Sequence, residues 1–426
     1  MPGRVLKQRG DEQYLPPRER SGKMTSSGNT RVKSRLDPFC DPFWVFCGVF
    51  LVLCAGMDAG AAQHPSNLFH SYLRNGIERA YNLETQNAVS YLQKAVEADR
   101  ESPMGYAFLA LVHLSSYEMG FEPRDREKSQ AAMMYYIRET LARGEKKIEE
   151  NARDGQAYFA MALAKVALVR LAIIQKQYSV VARESSGAWD YLERARIEDP
   201  RNYDIYYLRG LLHYHLDHLT GVTRFVSSLL ITAGDHGKGL QELELAAQRG
   251  DLLKEMAKAE LISVYSNYEK QPSRALPIAQ ELKKKYPRNY NFSFVLANTL
   301  SDLHRYKEAF AIAREIERGI QTGKPPYSPQ LRPRHDQLIG RIFFSQGEYA
   351  RAAEHFRGAL KDTSLYKDRV RTLSLVRLGM IHDALNERKQ AEKYYSMALE
   401  IDGGGDLPRK EAKKYLETPF RPPPGL

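Results

Sequence analysis

Cysteine is nearly absent from this chain. Its 426 residues hold three, Cys40, Cys47 and Cys54, seven positions apart and all close to the N-terminus. That spacing would suit a heptad stripe or a metal cluster, but in an apolar stretch cysteine is more simply read as a small hydrophobe. If the stretch is removed, the remaining chain has no thiol and can form no disulfide, which suits a compartment where stray thiols oxidise. The sequence also lacks G-x-S-x-G, H-E-x-x-H, paired-cysteine and Walker patterns. The common nucleophile, metal and phosphate sites are therefore missing, and the sequence implies no enzyme, cofactor or metal. Long apolar runs are scarce too. PFWVFCGVFLVLCAG, residues 42 to 56, has roughly 13 apolar residues, short of the ~20 of a membrane span. QAYFAMALAKVALVRLAII is interrupted by Lys165 and Arg170, and reads as a buried central helix.

What the sequence has is spacing. In RALPIAQELKKKYPRNYNFSFVLANTLSDLHRYKEAFAIAREI, residues 274 to 316, Ala275, Ala279 and Leu282 recur at steps of four and three, and Pro287 ends that helix. A second helix carries Leu296, Ala297 and Leu300, and a third repeats the first pattern as Ala309, Ala313 and Ile316. From Ala275 to Ala297 is 22 residues and from Ala297 to Ala309 is 12, a cycle of 34. The same steps return from Ala88 to Ala110, Ala188 to Gly210, Gly340 to Ala352 and Gly379 to Ala391. The alanine-led helices read Ala88, Leu92, Ala95; Ala188, Leu192, Ala195; Ala352, Phe356, Ala359; and Ala391, Tyr395, Ala398. Small residues at fixed spacing let two antiparallel helices close to roughly 8–10 Å.

These residues resemble tetratricopeptide repeats, most clearly LIGRIFFSQGEYARAAEHFRGAL (338–360) and RLGMIHDALNERKQAEKYYSMALEID (377–402). Six or seven repeats are recognisable over residues 70 to 402. The pattern departs from the family at Gly403, where a proline is usual, and by about five extra residues near Tyr366 to Arg371. The arrangement is similar to exported bacterial tetratricopeptide proteins and, more distantly, to the Iml2/TPR-39 type. The resemblance implies an all-α fold, an α-α superhelix or solenoid of stacked helical hairpins.

The sequence divides accordingly. Residues 1–38 read as a disordered leader, polar and broken by Pro16, Pro17, Gly22 and Gly28, with Met24 an alternative start. Residues 39–62 read as a signal peptide or membrane anchor: basic residues precede the apolar run, and small ones follow it, with cleavage after Ala62 or one residue earlier. A lipoprotein signal at Cys54 is disfavoured by bulky Leu53. The expected location is exported, periplasmic or anchored facing the periplasm. Residues 67–320 form the main stack, in which the first hairpin is read from Asn67 to Leu114 with its break at Ser102-Pro103. Residues 321–335 are a proline-rich connector that lets the last repeats move, 336–402 hold two regular repeats, and 403–426 form a capping helix with a loose tail.

The formal charge is +11, falling to +8 (54 basic against 46 acidic residues) without residues 1–62. The excess is spread over helix exteriors, which disfavours nucleic acid as partner and fits an anionic membrane surface, an acidic peptide or a polyanionic envelope component equally well. Three histidines, His213, His215 and His218, share one helix, but only His215 and His218 lie on one face. They read as packing or groove-lining residues, and GDHGKG (234–239) reads as an interhelix turn.

In a tetratricopeptide stack the first helix of each pair makes the concave wall. On a helical wheel that wall takes Asp204, Tyr207, Leu211, Tyr214, His215, Tyr265, Phe294, Asn298, Arg334, Arg341 and Phe344. Some relatives grip a C-terminal carboxylate with Lys, Asn and Arg; here Asn298 alone matches, so that activity does not carry over. The expected function is a non-enzymatic scaffold for protein or peptide partners in the cell envelope. The alternative is a ligand-binding component of an envelope transporter, which requires a deep pocket beside Tyr214 and His215.

Overall fold

The computed structural model describes residues 65–120, 122–216, 235–361, 368–401 and 406–422; the leader, the apolar run and His218 lie outside them. Seventeen α-helices make up this part. They are α1 (Pro65–Tyr81), α2 (Thr85–Ala98), α3 (Pro103–Met119), α4 (Pro123–Glu150), α5 (Gly155–Ile174), α6 (Tyr178–Glu198), α7 (Ile205–Leu216), α8 (His236–Arg249) and α9 (Lys254–Ser263). After α9 comes a π turn, Val264–Tyr268. The rest are α10 (Pro272–Lys285), α11 (Tyr290–Asp302), α12 (Tyr306–Thr322), α13 (Arg332–Ser345), α14 (Tyr349–Ala359), α15 (Asp368–Ala384), α16 (Arg388–Glu400) and α17 (Asp406–Glu417). Consecutive helices pack in antiparallel pairs, α1 with α2 through α15 with α16, and α17 covers the last pair.

The two helices of a pair bury themselves differently. Second helices are buried along one stripe only: Ala88, Leu92 and Ala95 on α2, Ala275, Ala279 and Leu282 on α10, Ala391, Tyr395 and Ala398 on α16. This is the small-residue spacing of the sequence, because the stripe faces the partner helix and the other faces meet water. The first helices of the second and third hairpins are buried nearly all round. Pro103–Val112 of α3 and most of Gly155–Ala164 of α5 have no exposed face, so the apolar helix α5 is a core element between α3, α4 and α6.

Helices α7 and α8 cross with their backbones close together. A Cβ on Gly239 would lie 2.5 Å from the Tyr214 backbone nitrogen, and one on Gly210 would lie 2.9 Å from that of Leu243. Only glycine permits backbones this close.

Six pairs share one turn. Leu83, Lys176, Lys270, His304, Gly347 and Asn386 all have positive φ, and each sits two residues before the second helix of its pair. In five of them the next amide reaches back five residues, as from Glu84 to the Arg79 carbonyl (2.9 Å) and from Glu387 to that of His382 (2.7 Å). The left-handed residue thus satisfies carbonyls that the first helix would leave open.

Three boundaries differ from the sequence reading. Ser102 caps α3 by accepting from Met104 N (3.4 Å), so Ser102-Pro103 lies between two hairpins, and the first hairpin is α1/α2. Helix α13 starts at Arg332, because Pro333 fits a first turn that needs no amide there. The connector before it packs, with the Tyr327 ring 5.8 Å from Tyr290. At the C-terminus Phe420 is buried: its amide donates to Asp383 (2.8 Å) and its ring lies 5.9 Å from Phe344.

Candidate functional site

The first helices carry polar side chains that meet from one hairpin to the next. Arg170 of α5 donates to Glu118 of α3 at 2.6 Å, with both side chains about nine-tenths buried. Tyr207 of α7 stands close to this pair and to Glu260 of α9; burial, then Glu260, pushes its hydroxyl well above the usual tyrosine range.

Farther along, Arg334 of α13 donates to Asn291 of α11 (2.6 Å) and lies over the Phe294 ring (4.1 Å). Two helical turns on, Arg341 donates to Asn298 (3.1 Å) and Asp302 (2.5 Å). Arg377 of α15 continues the row, 5.0 Å from the Phe344 ring. Residues seven apart share a helix face, so each helix can present two rungs to the next.

The residues expected on an open wall divide into two groups. Asp204, Tyr207, Tyr214, Tyr265, Phe294, Arg341 and Phe344 are buried. The Asp204 carboxylate accepts the backbone amides of Asp251, Leu252 and Leu253 at 2.8–2.9 Å, a turn-holding role. Burial pushes its pKa up to about 6 in spite of those bonds. Tyr214 donates to Glu269 (2.7 Å) and its ring lies 4.3 Å from His236. Tyr265 donates to Glu244 (2.6 Å) under the Arg274 guanidinium. Burial and the carboxylates raise both hydroxyls far above their ordinary value. Leu211, Asn298 and Arg334 keep partial exposure, while the His215 side chain lies outside the described residues.

The sequence reading missed Glu118, Arg170, Glu260, Asn291, Asp302 and Arg377. A seven-residue step shared by Asn291/Asn298 and Arg334/Arg341 is the sequence signal that could find Asn291.

His213 belongs to a buried network instead of a ligand set. Its Nδ1 lies 2.6 Å from Glu242, which also accepts from Arg209 (3.1 Å), and Arg209 pairs with Glu193 of α6. Among the described residues no group of three or more His, Cys, Asp or Glu could hold a metal. Asp235 caps α8 by accepting from Lys238 N (2.9 Å). The rings of His236 and Tyr268 pack against the Tyr214 ring. A cavity of ≈250 Å³ lies elsewhere, between α1 and the turns at 199–204 and 249–252.

The chain is thus an all-α stack of consecutive helical hairpins whose first helices carry a polar and aromatic face. Residues 338–406, from α13 to the start of α17, match the tetratricopeptide repeat family model. Among solved structures the chain is similar to a tetratricopeptide repeat protein from Parabacteroides merdae ATCC 43184, at 15% identity over 72% of this chain and 99% of that one, with a TM-score of 0.31. It is also similar to the P58(IPK) TPR domain, at 16% identity over 82% and 97%, with a TM-score of 0.24. No curated protein matches the sequence.

Proposed function

We propose that this chain is a non-enzymatic scaffold of the cell envelope that holds an extended protein segment against the first helices of its later hairpins. The supporting observation is the pair of rungs Asn291–Arg334 and Asn298–Arg341, at one register on adjacent helices, with Asn298 and Arg334 partly exposed. Asparagine amides can pair with a peptide backbone in either direction, and arginine forks suit carboxylates. Asn298 and Arg334 present such groups on the partly exposed face, suited to an extended acidic segment, while buried Arg341 holds the register against Asp302.

The envelope location is supported by the leader. Basic residues, a short apolar run and small residues come in the order of an export signal. Export or anchoring would place the stack outside the cytoplasm.

Co-purification from membrane and soluble envelope fractions tests both parts. The full chain should retain a protein that Asn298→Ala with Arg334→Glu releases and that Lys389→Glu, an exposed change on α16, does not. Equal recovery with all three chains, or enrichment of cytoplasmic proteins alone, would sink the reading.

A further inference from the structure

Hairpin stacks are nearly one-dimensional: each hairpin touches its neighbours, and small changes at successive joints add up. The helix pairs of this chain obey that rule. One group of contacts does not. Asn289, at the start of α11, donates to the carbonyl of Tyr81, at the end of α1, at 2.7 Å across 208 residues. Beside it the rings of Tyr81 and Tyr286 stack with centroids 5.1 Å apart. Arg288 lies 3.7 Å from Glu84. Arg74 of α1 pairs with Asp251 at 2.5 Å across 177 residues, and Asp251 sits in the turn that the Asp204 carboxylate holds.

These contacts join helix ends and turns; no helix of the first hairpin lies along a helix beyond the second. The two ion pairs are largely exposed on at least one side, where such pairs contribute little. Next to them an open cleft of ≈250 Å³ runs between α1 and the turns at 199–204 and 249–252, while Tyr81, Tyr286 and Asn289 themselves are buried. Behind the contact lie the buried first helices of the early hairpins, with Phe108, Tyr207, Glu118, Arg170 and Glu260.

We propose that Tyr81, Tyr286 and Asn289, with the pairs Arg74–Asp251 and Glu84–Arg288, form a clasp that closes the first five hairpins on themselves. Its release uncovers their inner faces. The stack has a closed state, in which those faces are sealed, and an open state, reached by losing a few end-on contacts while every neighbour interface survives. The partner of the clasp is the first hairpin of the same chain, and its release extends the scaffold reading to the early hairpins, on which this inference rests.

Spin labels at Gln86→Cys on α2 and Lys284→Cys on α10, both exposed, report the gap in the full chain with Cys40, Cys47 and Cys54 replaced by serine. Two distance populations are expected, the longer rising about tenfold with Asn289→Ala, as the buried bond to Tyr81 is lost together with the cap that Asn289 gives α11 by accepting from Asn291 N. Arg74→Ala with Arg288→Ala, confined to partly exposed side chains, should shift the populations in the same direction but by only about two- to threefold, with helix content unchanged. One narrow distance that neither variant moves would overturn the clasp. The reading needs no partner, so it fails or stands apart from the co-purification.

Discussion

Arg341 reaches Asn298 at 3.1 Å on the neighbouring hairpin, and seven residues earlier Arg334 reaches Asn291 in the same way. The repetition shows that α11 and α13 face each other in a single register over two turns. Arg341 also holds Asp302 at 2.5 Å with both side chains at least nine-tenths buried. Removing one charge strands the other in a low-dielectric setting. Arg341→Met is expected to cost about 3 kcal/mol in urea unfolding. Arg341→Met combined with Asp302→Leu should recover most of that loss, and a double variant as unstable as the single one would contradict the pairing.

Asp204 sets a pH dependence whose sign follows from its raised pKa. The native carboxyl takes up a proton near pH 6, whereas in the unfolded chain it does so near 3.8. The native state therefore binds more protons between those values. Its contribution is full below about pH 3.8 and is lost as pH rises through 6, a swing of about 3 kcal/mol. Measured against Asp204→Asn, which cannot titrate, the unmodified chain should lose relative stability from pH 4 to 7. A flat difference would show that the three amide bonds outweigh burial.

The shared turn makes a backbone prediction. Lys176 is exposed and holds φ of 57°, a conformation that costs a side chain about 1 kcal/mol. Lys176→Gly should stabilise the chain by about 0.5 kcal/mol after the added freedom of the unfolded state is counted. Gly347→Ala, at φ 78°, should lose about 1 kcal/mol. Thermal unfolding of the pair checks the opposite signs.

Two glycines separate backbone from side-chain crowding. A Cβ at Gly239 meets the Tyr214 backbone, while one at Gly144 meets the flexible Met161 side chain at 2.3 Å. Gly239→Ala should destabilise by about 2–3 kcal/mol. Gly144→Ala should stay within about 1 kcal/mol of neutral, since gained helix propensity offsets a rotamer change. Equal losses would mean that α7 and α8 are not held as closely as their backbones indicate.

The hairpin architecture was legible because its cause is local. Alanines at Ala88, Ala275 and Ala391 are small for a steric reason, so their spacing survives in the sequence and all three are fully buried. The phase is harder to read: steps of 12 and 22 sum to 34 whichever helix is counted first, so spacing alone joins α2 to α3 across Ser102-Pro103 as readily as α1 to α2. The turns hid for a chemical reason, since five of the six left-handed positions carry Leu, Lys, His or Asn instead of glycine. Tyr207 and Asp204 were placed on an open wall because a helical wheel sees only its own helix. Tyr207 stands near Tyr81 and Asp204 accepts the Leu253 amide, neighbours that lie far away in sequence.

Site-specific photocrosslinking tests the scaffold claim most directly. A benzophenone side chain at position 298, on the partly exposed face of α11, is compared in envelope preparations with one at position 389, on the exposed side of α16. A discrete protein adduct at 298 that is absent at 389, and weakened by Arg334→Glu, is the expected result. Adducts of equal yield at both positions, or none at 298, would contradict it.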